Sequence, residues 1–234
     1  MLQNLQACRR FSRARAFRRR ALSTVSESLR AMNLVRRASE HARAKRVAMV
    51  DPDGTGHSYA DLLRDSAAIS RSLRSATTCS ADLGEKTVAF LCPSDSSYAH
   101  VQWGIWRAGG VAVPLSPKHP KDELDYFLSD SGASLVIGHR QYEALLRPVA
   151  ESQQRVYIDY EELLASEGLS TTYDDDALVA SSDLAKRASH IIYTSGTTGR
   201  PKGVVTTHGA LEAQVMDLCS SWGWVEEVRL SFFR

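Results

Sequence analysis

Five short runs constrain this chain more than any other feature: TVAFLC at Thr87–Cys92, VAVPL at Val111–Leu115, SLVIG at Ser134–Gly138, RVYID at Arg155–Asp159 and HIIYT at His190–Thr194. They are apolar nearly throughout rather than alternating, a pattern that suits a strand covered on both faces. Stretches of helical period separate them. Ser58 stands three residues before Asp61, as at the start of a capping box, and Leu62, Ile69 and Leu73 follow on one face. Ala99 to Ala108 carries Trp103 and Trp106 and ends at Gly109 and Gly110, while DELDYFLSD and QYEALLRPVAES give two further helices. Apolar strands separated by helices predict an α/β fold, with layered parallel-rich sheets and flanking helices.

Outside this rhythm, Ser28 to Ala44 reads as a helix, VAMVD as a strand and DGTG at Asp53–Gly56 as a turn. Residues 166 to 188 read as an exposed connection, with HIIYT as the last buried strand beyond it.

Charge is unevenly placed. The net +2 includes a leader, residues 1 to 23, with seven arginines and no acid, the first acidic residue being Glu27. An Arg-rich, Ser-containing, acid-free leader is the composition of a mitochondrial transit peptide, and RALS at Arg20–Ser23 suits processing there. A basic nucleic-acid-binding arm is the competing reading. No aromatic interleaving and no nucleic-acid fold signature continues beyond the leader, so no nucleic-acid partner is expected. No apolar run approaches a membrane span. The four cysteines (Cys8, Cys79, Cys92, Cys219) form no CxxC pair and the seven histidines show no ligand spacing, which argues against a zinc site.

The chemistry concentrates in YTSGTTGRPKG, Tyr193 to Gly203, which leaves the end of the last apolar run. Glycines at 196, 199 and 203 allow positive φ and close approach to a ligand. Thr194, Ser195, Thr197 and Thr198 bring hydroxyl donors, and Lys202 a point positive charge. Amides, hydroxyls and an ammonium at a strand's carboxyl end suit a polyphosphate. The Walker A pattern does not fit, because Pro201 stands before the lysine where that motif has glycine.

YTSGTTGRPKG also resembles, at every position, the phosphate-binding signature of the adenylate-forming (AMP-binding) acyl-CoA synthetase superfamily. FLCPSDSSYAHVQWGIWRAGGVAVPLSPKHPKDELDYFLSDSGASLV, Phe90 to Val136, resembles the N-terminal region of the mitochondrial malonate–CoA ligases within it. The resemblance spans roughly residues 45 to 224 and implies the N-terminal portion of the large domain. It implies an enzyme that uses ATP and Mg²⁺ to turn a small carboxylate, malonate or methylmalonate, into an acyl-adenylate. The acyl group then passes to coenzyme A, in the mitochondrial matrix, as part of fatty acid metabolism. Thr194, Ser195, Gly196, Thr197, Thr198, Gly199, Arg200, Pro201 and Lys202 would form the loop over the ATP phosphates. The partners implied are the carboxylate, coenzyme A and the mitochondrial import machinery.

The resemblance divides the chain into a transit peptide (1–23), a linker and first helix (24–44), the N-terminal part of an AMP-binding domain (45–224) and a divergent tail (225–234). The superfamily's segments for adenine, ribose and Mg²⁺, and its C-terminal lid with a catalytic lysine, have no counterpart here. No lysine follows Lys202, and WVEEVRLSFFR departs from the family after Trp224. The expectation is a truncated form that does not turn over, with no catalytic residue and no metal ligand assigned. The alternative is a non-catalytic, matrix-targeted phosphate- or nucleotide-binding fragment.

Overall fold

The computed structural model describes residues 34–77, 82–165, 184–195 and 199–223. Residues 1–37 and 38–234 group as separate units, and the fold below is that of the second. The leader, most of the connection after residue 165, Gly196 to Thr198 and the tail after Gly223 lie outside the described residues.

The first helix, α1 (Leu34–Arg43), precedes a small antiparallel pair, β1 (Val47–Val50) and β2 (Gly56–Ser58). The DGTG turn joins them: Asp51 N–H donates to the Thr55 carbonyl (2.8 Å), and Gly54 takes a left-handed φ of 91°. Helix α2 (Tyr59–Ala76) then starts on the capping box that Ser58 and Asp61 announce. Asp61 N–H donates to Ser58 Oγ (3.1 Å), and Ser58 N–H to Asp61 Oδ2 (2.9 Å), satisfying two amides that a helix start leaves open.

The main sheet follows with the alternation the apolar runs predict. It contains β3 (Thr87–Leu91), α3 (Ser96–Arg107), β4 (Val111–Pro114), α4 (Lys121–Asp130), β5 (Leu135–Gly138), α5 (Glu143–Ser152), β6 (Val156–Asp159), α6 (Tyr160–Ala165) and β7 (Ala188–Thr194). Two further elements, β8 (Lys202–Thr207) and α7 (His208–Trp222), complete it. The strand order is β6-β5-β3-β4-β7-β8. All neighbours are parallel except β7 and β8, which form an antiparallel hairpin.

Two apolar layers sandwich the sheet. On one face Val88 and Phe90 of β3 pack with Ile69 and Leu73 of α2, Val101 and Ile105 of α3, and Leu163 of α6. On the other, Ala89 and Leu91 pack with Leu124, Phe127 and Leu128 of α4 and Val149 of α5. Alternate residues of one strand thus enter opposite layers, which is why β3 is apolar without a break. Helices α2 and α3 meet closely at Gly104, where a Cβ would stand 2.5 Å from Ile69 Cγ2. Arg107 lies buried at the same seam, its Nη1 donating to the Leu63 carbonyl (2.7 Å) and Ser66 Oγ (3.0 Å).

One finding departs from the sequence reading. HIIYT is only half-buried: Ile191 and Tyr193 face the α4 layer, while Ile192 is 46% exposed. The segment after it returns as an edge strand, β8, with Val204 and Val205 exposed. KGVVTT carries the β-branched run that marks such a strand, and Thr207 followed by Gly223 marks the two ends of α7.

Candidate phosphate-binding hairpin

Because α3 leaves β3 on one face and α4 leaves β4 on the other, the carboxyl ends of β3 and β4 form a topological switch point, where open parallel sheets place their ligands. Strand β7 is the next neighbour of β4, so its carboxyl end opens onto the same edge.

Helix N-termini are the usual anion sites of such an edge, but two of them here hold carboxylates. At α3, Asp95 accepts from the Ser97 amide (3.0 Å), and Asp51 accepts from the Ser96 amide (2.7 Å) and hydroxyl (2.9 Å). At α6, Asp159 accepts from the amides of Glu161 (2.9 Å) and Glu162 (3.3 Å). The first turn of α4 carries Asp122 and Glu123. Carboxylates at these positions repel an incoming phosphate. The hairpin between β7 and β8 carries the opposite charge, with Arg200 and Lys202 both exposed.

The described part of the hairpin is held by its own ladder and by α4. Thr194 pairs with Lys202, and Thr194 Oγ1 donates to the Lys202 carbonyl (3.4 Å). Tyr193 stacks on Phe127 (4.2 Å between ring centres), and its Oη donates to Asp130 Oδ2 (2.8 Å). Burial and that hydrogen bond to Asp130 push the Tyr193 phenol up, so it stays a neutral donor. Tyr126 Oη donates to the Pro201 carbonyl (3.1 Å), and the Arg200 guanidinium lies 5.2 Å from the Tyr126 ring centre.

Of the residues singled out from sequence, Thr194, Ser195, Gly199, Arg200, Pro201 and Lys202 fall on this one hairpin, and Gly196, Thr197 and Thr198 lie outside the described residues. The expectation of positive φ at the glycines is corrected at two positions. Neither Gly199 nor Gly203 takes a positive φ. Gly203 lies across the ladder from Tyr193, where a Cβ would stand 2.9 Å from Ile191 Cγ2 and 3.2 Å from Tyr193 Cζ. Its missing side chain makes room for the ring above it. Tyr126 and Asp130, which support the hairpin from α4, were not legible as site residues, since nothing local distinguishes them on a helix.

The donor set fits a polyphosphate: hydroxyls at Thr194 and Ser195 and cations at Arg200 and Lys202. Among the described residues, no group of three or more His, Cys, Asp or Glu is placed to hold a metal ion.

Residues 35–232 match the family described as AMP-binding enzyme. The chain belongs to that family. Among the relatives of this AMP-binding enzyme chain, "Malonate--CoA ligase ACSF3, mitochondrial" of Bos taurus is 39% identical over 184 residues, covering 78% of this chain and 31% of the relative. The same-named protein of Xenopus laevis is 39% identical over 191 residues, covering 79% and 32%. The chain therefore spans about a third of the length of the curated relatives it matches. ATP-bound MatB from Rhodopseudomonas palustris shares the fold with a TM-score of 0.63 at 23% identity, over 76% of this chain and 35% of that one. The Bacillus subtilis o-succinylbenzoate CoA synthetase MenE, in complex with AMP, superposes with a TM-score of 0.66 at 23% identity, over 81% and 46%.

Proposed function

We propose that these residues form the polyphosphate-gripping part of an ATP-dependent carboxylate–CoA ligase whose carboxylate is malonate or methylmalonate. The observation that carries the reading is the cationic, hydroxyl-rich hairpin at the switch-point edge, beside helix N-termini that hold carboxylates of their own. The substrate class rests on the 39% identity to relatives named malonate–CoA ligases.

Thr194 and Ser195 would donate to phosphate oxygens. Lys202 and Arg200 would face the charge that grows on the departing pyrophosphate as the carboxylate attacks the α-phosphorus. When bound, Mg²⁺ supplies further neutralisation of that charge, and coenzyme A supplies the thiol that accepts the acyl group. Neither is assigned to a residue here.

The arginine-rich leader and the mitochondrial relatives support delivery to the matrix through the import machinery. Residues 1–23 fused to a reporter should carry it into mitochondria, and a reporter left in the cytosol or sent to the nucleus would count against that address.

The 234 residues by themselves are proposed to bind the nucleotide without turning it over, because the hairpin grips only the phosphate end of ATP. The competing reading, a nucleotide-binding module with no catalytic role in any context, is separated by two measurements. Mg·ATP should raise the thermal midpoint of the chain. Incubation with ATP, Mg²⁺, coenzyme A and malonate should yield no acyl-CoA above a Lys202→Ala control. Joined to the remaining two-thirds of a relative, the same residues should support pyrophosphate exchange, which the binding-module reading forbids.

A further inference from the structure

Helix α4 touches both limbs of the hairpin through one side chain. The Tyr126 ring meets Tyr193 on the β7 limb in a T-shaped contact (6.1 Å between ring centres). On the β8 limb its Oη donates to the Pro201 carbonyl (3.1 Å), and its face receives the Arg200 guanidinium (5.2 Å). The ladder ends close to this contact. Pro201 has no N–H and cannot extend the β7–β8 ladder past the Thr194–Lys202 pair. At that point Tyr126, 75 residues away in sequence, donates to the Pro201 carbonyl.

We propose that Tyr126 is the positioning residue of the hairpin. Its hydroxyl pins the Arg200–Pro201 backbone to α4 and its ring holds the guanidinium, so the two cations flanking Pro201 stand on a fixed backbone. The delivery of those cations rests on the polyphosphate reading above, but the holding contact does not. A loop ordered in advance loses less entropy on binding, so the contact should act on affinity as well as on local order.

The test uses the full chain and trypsin. Trypsin does not cut an arginyl–prolyl bond, so cleavage within the hairpin falls after Lys202, a residue paired in the ladder. Appearance of the new Gly203 terminus, followed by mass spectrometry, therefore reports opening of the hairpin. Tyr126→Phe, which keeps the ring and removes the hydroxyl, should speed that cleavage roughly fivefold, the effect of losing one hydrogen bond. The thermal midpoint should not change. Tyr126→Leu, which also removes the ring, should speed cleavage further. Arg200→Met leaves the Tyr126–Pro201 bond in place and should cleave at close to the wild-type rate, while needing more Mg·ATP for half-protection.

Unchanged cleavage in both Tyr126 variants would overturn the positioning role, whatever ATP does. A faster cleavage that tracks a lowered thermal midpoint would also overturn it, by showing general loosening. Should saturating Mg·ATP leave wild-type cleavage unslowed, the polyphosphate reading and the delivery of cations would fall, and the cleavage rates of the variants would still decide whether Tyr126 holds the hairpin.

Discussion

Lys202 stands at the first position of β8, exposed, with its backbone tied across the ladder to Thr194. The strand fixes where its Cα sits and leaves the ammonium in water, so mutation should change ligand binding and leave the fold intact. Lys202→Ala should weaken binding of inorganic pyrophosphate or ATP by about tenfold or more, the range for a charge-assisted contact, as read by calorimetry. Thr194→Ala removes one neutral donor and should cost no more than about threefold. Lys202 was legible as a candidate site residue because its charge stands beside glycines and hydroxyls in one continuous stretch. Tyr126 was not: in DELDYFLSD it reads as one more aromatic on a helix, and its contact with Pro201 exists only once α4 and the hairpin are side by side.

Between elements, the α2–α3 seam is a closely specified contact. A methyl group at Gly104 would stand 2.5 Å from Ile69 Cγ2, 2.7 Å from Ile69 Cβ and 3.2 Å from the Ser66 carbonyl. A rotamer change can relieve the first of these but not a Cβ or a backbone oxygen, so the helices must separate. Gly104→Ala should cost about 1–3 kcal/mol in urea unfolding, although alanine is the better helix former. At the start of α2, Ser58→Ala should cost about 1 kcal/mol by releasing the capping amide. The Ser58 hydrogen bonds, with Arg64 beside them, bring the Asp61 carboxyl down to about 2. Its folded pKa is depressed, so its stabilisation holds above the usual carboxylate range and is lost as pH falls toward 2.

For the whole molecule, acid should act first through histidines rather than carboxylates. Burial holds His208 down to about 4, with Arg187 and His190 adding to it, and burial also lowers His190 and His100. His208 packs edge-on against Trp106 (5.6 Å), and His100 places Nδ1 3.1 Å from Tyr160 Oη while Nε2 is buried without a hydrogen bond. These imidazoles are neutral when folded and bind protons more readily when unfolded. Their contribution is therefore whole above pH of about 6.5 and declines as pH falls from there toward 4. The thermal midpoint should drop between pH 7 and 5, and His208→Gln should reduce that slope. A midpoint constant across this interval would show that the three rings titrate normally in the fold.

What the sequence determined by itself is what neighbouring residues decide among themselves. An unbroken apolar run marks the covered strands β3, β4 and β5, a serine three residues before an aspartate starts a helix, and hydroxyls, glycines and a lysine in succession mark a candidate anion site. Each of these interactions is closed within a few residues, so its energy is visible locally. The tertiary structure decided the rest: that β8 returns antiparallel at the edge, that a side chain at Gly203 would crowd Ile191 and the Tyr193 ring, that Arg107 finds its acceptors on α2, and that the Tyr126 hydroxyl reaches the Pro201 carbonyl. Those choices depend on contacts between segments tens of residues apart. The chain's local pattern permits such contacts without specifying them, and only packing the helices on the sheet brings the partners within reach.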